Sequence, residues 1–322
     1  KAGFIPLHDA ALSGHRGIPQ LLVAAKARLD VFCQWGWTPL HRAVAHGNLA
    51  AAQALVDARA DPNLKAENRS TPLQAAFLDG HTSIVQLLVN AKASLSVEGD
   101  QNSSLLLTAA ARGDVTPIQT LLRRRADLNA VDSIIKATPL HLAAICGESD
   151  AVQVLIDAGV ALEAQDKSGR TSLFLAALSG HAAAARALIA AKAAVNVPQD
   201  RKAPLHVAAE KGAAPIVQIL IDAKASVDAR DNLRRTPLYW AALNGHLTVA
   251  QLLVQAKADM MIVVDEKTPL HVALSLGHRA MAQLMIDANA TLDTARDLDN
   301  TRLIAAAVLG EAVMTRDRKS VV

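Results

Sequence analysis

Eleven histidines are the side chains of this 322-residue sequence best suited to bind a metal ion or to transfer a proton. Five stand fourth in a recurring Thr-Pro-Leu-His phrase or its variants and five follow a glycine; the two series are His8, His41, His141, His206 and His271, then His15, His81, His181, His246 and His278. Only His46 falls outside both series. This register indicates imidazoles that bond a helix cap and nearby backbone, so we predict neither a metal site nor a catalytic histidine.

Other patterns that carry chemistry are missing from the sequence. Glycines recur singly instead of clustering into a phosphate loop, and neither Gly-x-Gly-x-x-Gly nor Gly-x-Ser-x-Gly occurs. Cys33 and Cys146 are far apart and lack metal-ligand spacing, which favours reduced thiols over a disulfide framework. We therefore expect a non-enzymatic protein without cofactor or small-molecule substrate, in the cytoplasm or the nucleus.

The composition of the chain favours a helical fold and argues against nucleic acid or a lipid bilayer as its surroundings. Half of the residues are hydrophobic but only three Trp, one Tyr and four Phe are aromatic, so the core must be aliphatic, which suits closely packed helices. A net charge of +3 is too small to indicate nucleic-acid binding by itself. The most apolar stretch, 173–197, is too polar to span a bilayer. The chain starts at Lys1 within a repeat, and we expect it to be a piece of a longer protein.

A repeat of 32 to 34 residues organises the whole chain. The phrase Thr-Pro-Leu-His or a close variant starts near residues 5, 38, 71, 104, 138, 171, 203, 236, 268 and 301. A glycine follows nine residues after each start. Thr38 is a good helix N-cap, Pro39 suits the first helical position, and Gly47 can end the helix in a left-handed conformation. A second helix follows, with apolar residues at helical spacing.

These motifs resemble the ankyrin-repeat family over almost the entire chain, through Thr-Pro-Leu-His, Gly-His, Leu-Leu and Ala-Asp-Val-Asn. The resemblance implies an all-α solenoid of antiparallel helix pairs with hairpin-like finger loops, here one monomeric domain over 1–322. It also implies that another protein or an extended peptide binds the concave face formed by fingers and first helices. At the family's finger Asp position, Asp166 and Asp231 would organise the turn.

The sequence departs from the family pattern at three places. A cation replaces the glycine that usually ends the second helix in most repeats, either as a tolerated cap favoured by the helix dipole or as a cationic strip. Repeat four lacks the Thr-Pro and the His, and we expect the weakest junction there. Repeat ten is expected to be an incomplete repeat or a polar cap.

Register assigns candidate partner-binding residues near the N-terminus. Positions just before the Thr, and the two before the glycine, face the groove in the family. They include Trp35, Trp37 and His46. Exposed tryptophans on loops are typical of interface anchors. The alternative is that these rings cover the open end of the stack or fold against a finger.

Two further candidates lie in later repeats. Ile134 and Ile135 stand at a finger tip that is normally polar, and they either form an apolar contact or pack beneath a one-residue insertion. The residue before the Thr position is a cation in four successive units, Arg170, Lys202, Arg235 and Lys267. With units about 10 Å apart these charges would form a row of about 30 Å facing an acidic partner; interleaved carboxylates make a merely solvated face the alternative.

A protein-interaction scaffold is thus the function that the sequence favours. The alternative is a regulatory or targeting ankyrin domain of a larger enzyme, kinase or channel. Nucleic-acid binding would require aromatic residues beside a dense basic field. Here the aromatics and the Arg/Lys row lie at opposite ends, so we expect no nucleic-acid partner.

Overall fold

The computed structural model describes residues 5–12, 17–79, 81–93, 101–197 and 202–288. These ranges contain eighteen helices and one isolated β-bridge, which confirms the all-α fold. First and second helices of successive repeats alternate as α1 (Pro6–Leu12), α2 (Ile18–Ala24), α3 (Pro39–Ala45), α4 (Leu49–Asp57), α5 (Pro72–Leu78), α6 (Thr82–Asn90), α7 (Gln101–Arg112), α8 (Val115–Arg123), α9 (Pro139–Cys146), α10 (Ser149–Asp157), α11 (Ser172–Ser179), α12 (Ala182–Ala190), α13 (Pro204–Glu210), α14 (Ala214–Asp222), α15 (Pro237–Asn244), α16 (Leu247–Gln255), α17 (Pro269–Ser275) and α18 (Arg279–Asp287). His15 and the tenth repeat lie outside the described residues.

The first helices begin with a cap that also ties one repeat to the next. In α9, the Thr138 hydroxyl accepts from the backbone N–H of His141, and His141 Nδ1 accepts from the backbone N–H of Thr138 at 3.1 Å. The other ring nitrogen, Nε2, donates to the carbonyl of Arg170 in the following repeat at 2.9 Å. Since Nδ1 accepts, the proton lies on Nε2. The histidine of the repeated phrase is therefore a structural link.

In four of the described repeats the glycine after the first helix leaves room for a histidine of the second series. Gly147 has φ 79°, and a Cβ built there would lie 2.5 Å from Nδ1 of His181. The imidazole of His181 donates from Nε2 to the carbonyl of Ile145 at 3.1 Å. A side chain at this position would thus collide with the ring that joins the two repeats.

The cations that replace glycine after the second helices have left-handed backbone conformations, as the cap interpretation requires. These residues are Lys26, Arg59, Lys92, Arg125, Lys192, Lys224 and Lys257. Gly159 keeps the family's glycine, with φ 84°. Each non-glycine residue at such a φ costs roughly 1 kcal/mol or more, offset in part by the attraction of its charge to the helix C-terminus.

Replacing Lys224 by glycine is accordingly expected to raise the free energy of unfolding by about 0.5–1 kcal/mol, because strain is relieved while the dipole interaction is lost. Urea unfolding of the full chain measures the change. The reciprocal variant Gly159→Lys should lower stability by a similar amount. A stabilising effect of both substitutions would contradict this account of the cap.

The described residues divide into two compact units, an N-terminal unit within 1–193 and a C-terminal unit within 194–322. In the C-terminal unit the first helices α13, α15 and α17 contact one another in order, as do the second helices α14, α16 and α18. This is the predicted stacking of helix pairs. A single domain over 1–322 stays a prediction.

The N-terminal unit departs from strict sequence order at the junction of repeats three and four. Helices α1, α3 and α5 stack in order, and so do α7, α9 and α11, but α6 contacts α7, α9 and α11 together. The amide of Gln74 donates to the carboxylate of Asp132 at 3.0 Å, more than one repeat away. One buried cluster joins Phe77 and Val89 to Cys146. Repeat three therefore contacts repeats five and six as well as its neighbours in sequence.

Phe77 gives a physical reason for this departure. It stands where repeats four to eight have an alanine that permits close approach of first helices, and its ring is fully buried. In repeat four, Leu105 is 54% exposed and borders a cleft of about 500 Å³ between α7 and α8. Repeat four thus begins a second stack of first helices, α7, α9 and α11. The weak junction expected at this repeat stays a prediction.

Candidate protein-interaction surface

The N-terminal candidates lie at the surface to different degrees. The side chain of Trp35 is 52% exposed, Trp37 is half-buried and His46 is exposed. The guanidinium of Arg42 lies 5.9 Å from the centroid of the Trp35 ring, a cation–π contact that orders the indole. Trp35 and His46 therefore remain accessible, and their role in partner binding stays a prediction.

The isoleucine pair at the finger of repeat five is not an exposed tip. Ile135 is fully buried, and Ile134 is partly buried against the same cluster. The carboxylate of Asp132 accepts from the backbone N–H groups of both residues, at 2.9 and 3.0 Å, and so turns the chain inward. The expected apolar contact surface at Ile135 is corrected: its side chain packs into the cluster that contains Phe77.

Arg170, the first cation of the predicted row, is also buried, with 5% exposure. Its Nε donates to Asp166 Oδ2 at 2.7 Å, its Nη2 donates to the carbonyl of Phe77 at 3.0 Å, and the guanidinium lies 5.0 Å from the centroid of the Phe77 ring. The positive charge of Arg170 is thus paired with the Asp166 carboxylate inside the N-terminal unit. Arg170 is thus corrected from a groove cation to a core residue.

The two groove positions before the glycine are likewise covered in repeat five. Ile145 and Cys146 are 1% and 6% exposed, in the cluster that contains Phe77. Burial, and secondarily the charge of Glu148, raises the pKa of the Cys146 thiol to about 12, which keeps it protonated and inert. Repeat three therefore covers the face on which a partner of repeat five would lie.

In the C-terminal unit the three remaining cations reach the surface. Lys202 Nζ pairs with Glu210 at 2.7 Å and lies 3.8 Å from the centroid of the Trp240 ring. Arg235 is half-buried, with its guanidinium 4.9 Å from that centroid and 5.7 Å from that of Tyr239. Lys267 is exposed. The predicted cations thus have three different environments.

Trp240 is the residue of this surface that the sequence argument missed, and with Tyr239 it corrects the expectation that the aromatics and the Arg/Lys row lie at opposite ends. Its indole Nε1 donates to Asp231 Oδ2 at 2.9 Å, and its ring carries both Lys202 and Arg235. Repeats two, five and six have Arg42, Leu142 and Leu175 at the equivalent place. An aromatic residue one position after the fourth place of the phrase is the signal that could have identified it.

Groove positions before the glycine stay accessible in the C-terminal unit. Lys211, Asn244 and Leu276 are exposed, the last with 49% of its surface. With Arg235 and Lys267 they define a surface that we call the C-terminal groove face. It is polar and cationic, with one large apolar side chain.

Among the described residues, no three His, Cys, Asp or Glu side chains converge to hold a metal ion. In the same part of the chain, none of the helices has the length and apolar character that a membrane span requires.

Stacked helix pairs with capped first helices and tight fingers define a helical repeat protein of the binding-module type. Models of ankyrin repeats match residues 1–66, 105–199 and 191–264, and a single-repeat model matches 265–298. The chain belongs to the ankyrin-repeat family.

Similar proteins place such repeats in diverse contexts. The chain is 36% identical over 97 residues to human "Ankyrin repeat and KH domain-containing protein 1", covering 29% of this chain and 4% of that protein. It is 33% identical over 101 residues to "Tyrosine-protein kinase HTK16" of Hydra vulgaris, covering 30% and 13%. It is 36% identical over 92 residues to the "Transient receptor potential cation channel subfamily A member 1 homolog" of Caenorhabditis elegans, covering 29% and 8%. The matched segment is thus a small part of each relative.

Proposed function

We propose that this chain is a protein-interaction scaffold whose partner lies on the C-terminal groove face. The observation that carries the proposal is the contrast between the units. The groove positions of repeat five are covered by repeat three, whereas Lys211, Asn244 and Leu276 at the groove positions of repeats seven to nine are exposed. A standard interface takes about 800 Å² from each partner, which a few repeats can supply. Trp35 and His46 offer a second, smaller contact.

Charge supports an extended, acidic segment as the partner. Lys211, Arg235 and Lys267 all lie on this face, and Lys267 forms no ion pair within the described residues. Exposed carboxylates of the same finger, Asp265 and Glu266, dilute the field. The face therefore provides specific cationic positions for a protein partner and lacks the dense field that nucleic acid requires.

Reversing Lys211 and Lys267 together to glutamate is expected to weaken binding of the captured partner by about three- to tenfold, with a smaller dependence on salt, because each exposed ion pair contributes at most about 1 kcal/mol. Pull-down with the full chain supplies the partner, and titration at two salt concentrations measures the affinity. Lys257→Glu, which changes one charge at the end of α16, is the control. Equal affinities for all three proteins would place the interface elsewhere.

A regulatory or targeting domain of a larger enzyme, kinase or channel is the second candidate. Its support is that the kinase and the channel among the relatives carry the matched segment as 13% and 8% of their length. The full reading frame of the natural transcript distinguishes the candidates, since a catalytic or membrane domain joined to these repeats would favour regulation.

A further inference from the structure

Two arginines at the same position of different repeats have opposite surroundings. Arg170 and Arg235 each precede the Thr that caps a first helix, and each follows a finger aspartate by four residues. In repeat six, Asp166 accepts from Nε of Arg170 and neutralises it. In repeat eight no described carboxylate pairs with the Arg235 guanidinium, and its Nε is buried without a hydrogen-bond partner.

The difference originates in the carboxylate of Asp231. One oxygen accepts from the backbone N–H groups of Leu233 and Arg235, at 2.9 and 2.8 Å. The other accepts from the indole N–H of Trp240 at 2.9 Å. Leu175, the counterpart of Trp240 in repeat six, has no donor to offer. The indole therefore takes the oxygen that Arg170 uses in its own repeat.

Because Asp231 bonds to the indole, the Arg235 guanidinium makes no ion pair with it and lies against two aromatic rings instead. Its guanidinium is 4.9 Å from the centroid of Trp240 and 5.7 Å from that of Tyr239. Such stacking fixes the plane of the guanidinium without consuming its N–H donors. Lys202, the other cation on Trp240, is already paired with Glu210 at 2.7 Å. Arg235 is thus an oriented fork of donors whose charge is not compensated by an ion pair.

We propose that Arg235, held by Trp240 and Tyr239, is the receptor for an aspartate or glutamate side chain of the partner. The inference rests on the proposed function and names the chemistry that one position of the C-terminal groove face recognises. A planar guanidinium binds a carboxylate through two parallel N–H···O bonds, which a lysine ammonium cannot reproduce. Because Nε of Arg235 is buried, the two donors are its Nη1 and Nη2 groups. The aromatic rings exclude water from one side of the pair and so strengthen it.

The test uses the full chain and a fluorescein-labelled octaglutamate peptide, with octaglutamine as its neutral twin, followed by fluorescence anisotropy. Arg235→Gln is expected to weaken binding of octaglutamate about tenfold or more, because the variant loses a pair of hydrogen bonds between two charged groups. Arg235→Lys should lose a large part of the affinity although the charge is kept. Arg234→Gln removes a charge from the exposed neighbouring residue and should change the affinity less than about twofold.

Trp240→Leu provides an independent arm, since it recreates the arrangement of repeat six. Arg235 and Asp231 keep their charges in this variant, but the Asp231 carboxylate becomes available to Arg235. Binding of octaglutamate should therefore fall as far as in Arg235→Gln. Urea unfolding and far-UV circular dichroism confirm that each variant is folded. If Trp240→Leu does not fold, the comparison of Arg235→Gln and Arg235→Lys with Arg234→Gln decides.

Several results would overturn the proposal: no binding of octaglutamate to the unaltered chain, equal binding of octaglutamine, or equal losses in Arg235→Gln and Arg234→Gln. Tighter binding of a phosphoserine peptide of the same length would overturn the choice of carboxylate. Failure of this proposal is distinguishable from failure of the proposed function. A captured partner that is sensitive to Lys211 and Lys267 but not to Arg235 refutes only the receptor.

Discussion

Replacing Phe77 by alanine is expected to lower the free energy of unfolding by about 3–5 kcal/mol and to expose Cys146 to thiol reagents. The ring is fully buried, packs under the guanidinium of Arg170, and belongs to the cluster that contains Cys146. Its loss removes the apolar contact by which repeat three covers repeat five. Because local opening then requires less free energy, reaction of Cys146 should accelerate by about tenfold or more.

The measurement uses a full chain with Cys33→Ala, so that Cys146 is the single thiol, and follows the release of a chromophore from an aromatic disulfide at neutral pH. Phe174→Ala is the matched control, since it removes a buried ring of repeat six that lies outside the cluster. The two variants are compared at urea concentrations equally far below their own unfolding midpoints. Under these conditions, labelling of Cys146 should stay slow in Phe174→Ala. Equal acceleration in both variants would mean that global stability, not the contact of repeats three and five, protects the thiol.

The regular part of this fold is predictable because each repeat carries its own local code. Thr138, Pro139 and His141 specify where a first helix starts, and Gly147 where it ends, whatever lies further away in the chain. The same holds for the cations that follow the second helices, such as Lys224. Their position in the repeat was enough to predict a left-handed backbone conformation. Short-range rules suffice wherever the contacts themselves are short-range.

The contact of repeat three with repeats five and six is a different matter. No feature of the sequence near Phe77 predicts that it contacts Arg170, which lies 93 residues further along the chain. The available signal was the size of the residue: a phenylalanine at a position where most repeats have alanine cannot be stacked as closely. Size predicts that the stack is disturbed, but the tertiary packing decides which surface the ring then covers.

At the candidate surface, too, the position in the repeat predicted where a residue lies, but neighbouring side chains determine its environment. Register assigned Arg170 and Arg235 to one exposed row, but their environments diverge because Leu175 and Trp240 stand five residues later in each repeat. One donor on an indole decides whether the finger aspartate is available to the arginine. The motif locates such positions, while their chemistry depends on side chains that the motif leaves free to vary.

Stability should fall as the pH is lowered from neutrality, because the buried and half-buried histidines that join the repeats are uncharged in the folded state. Burial lowers the pKa of His41, His141, His181 and His206, against a partly opposing effect of their bonds to backbone carbonyls. The unfolded chain takes up protons from about pH 6.5 downward, whereas the folded chain does so only at its lower pKa values. Between these limits each such histidine contributes a slope of at most about 1.4 kcal/mol per pH unit.

The sequence itself suggests the variant that isolates this effect. Gln74 occupies the histidine position in repeat three, and its side-chain oxygen accepts from the capping N–H of Thr71 at 2.9 Å without titrating. His141→Gln should therefore keep the cap while removing one proton from the difference between folded and unfolded states, so the urea-derived stability falls less steeply between about pH 7.5 and 5.5. His46→Gln, at an exposed position, controls for loss of an imidazole. Identical slopes for the two variants would show that protonation of buried histidines does not govern the acid sensitivity of the fold.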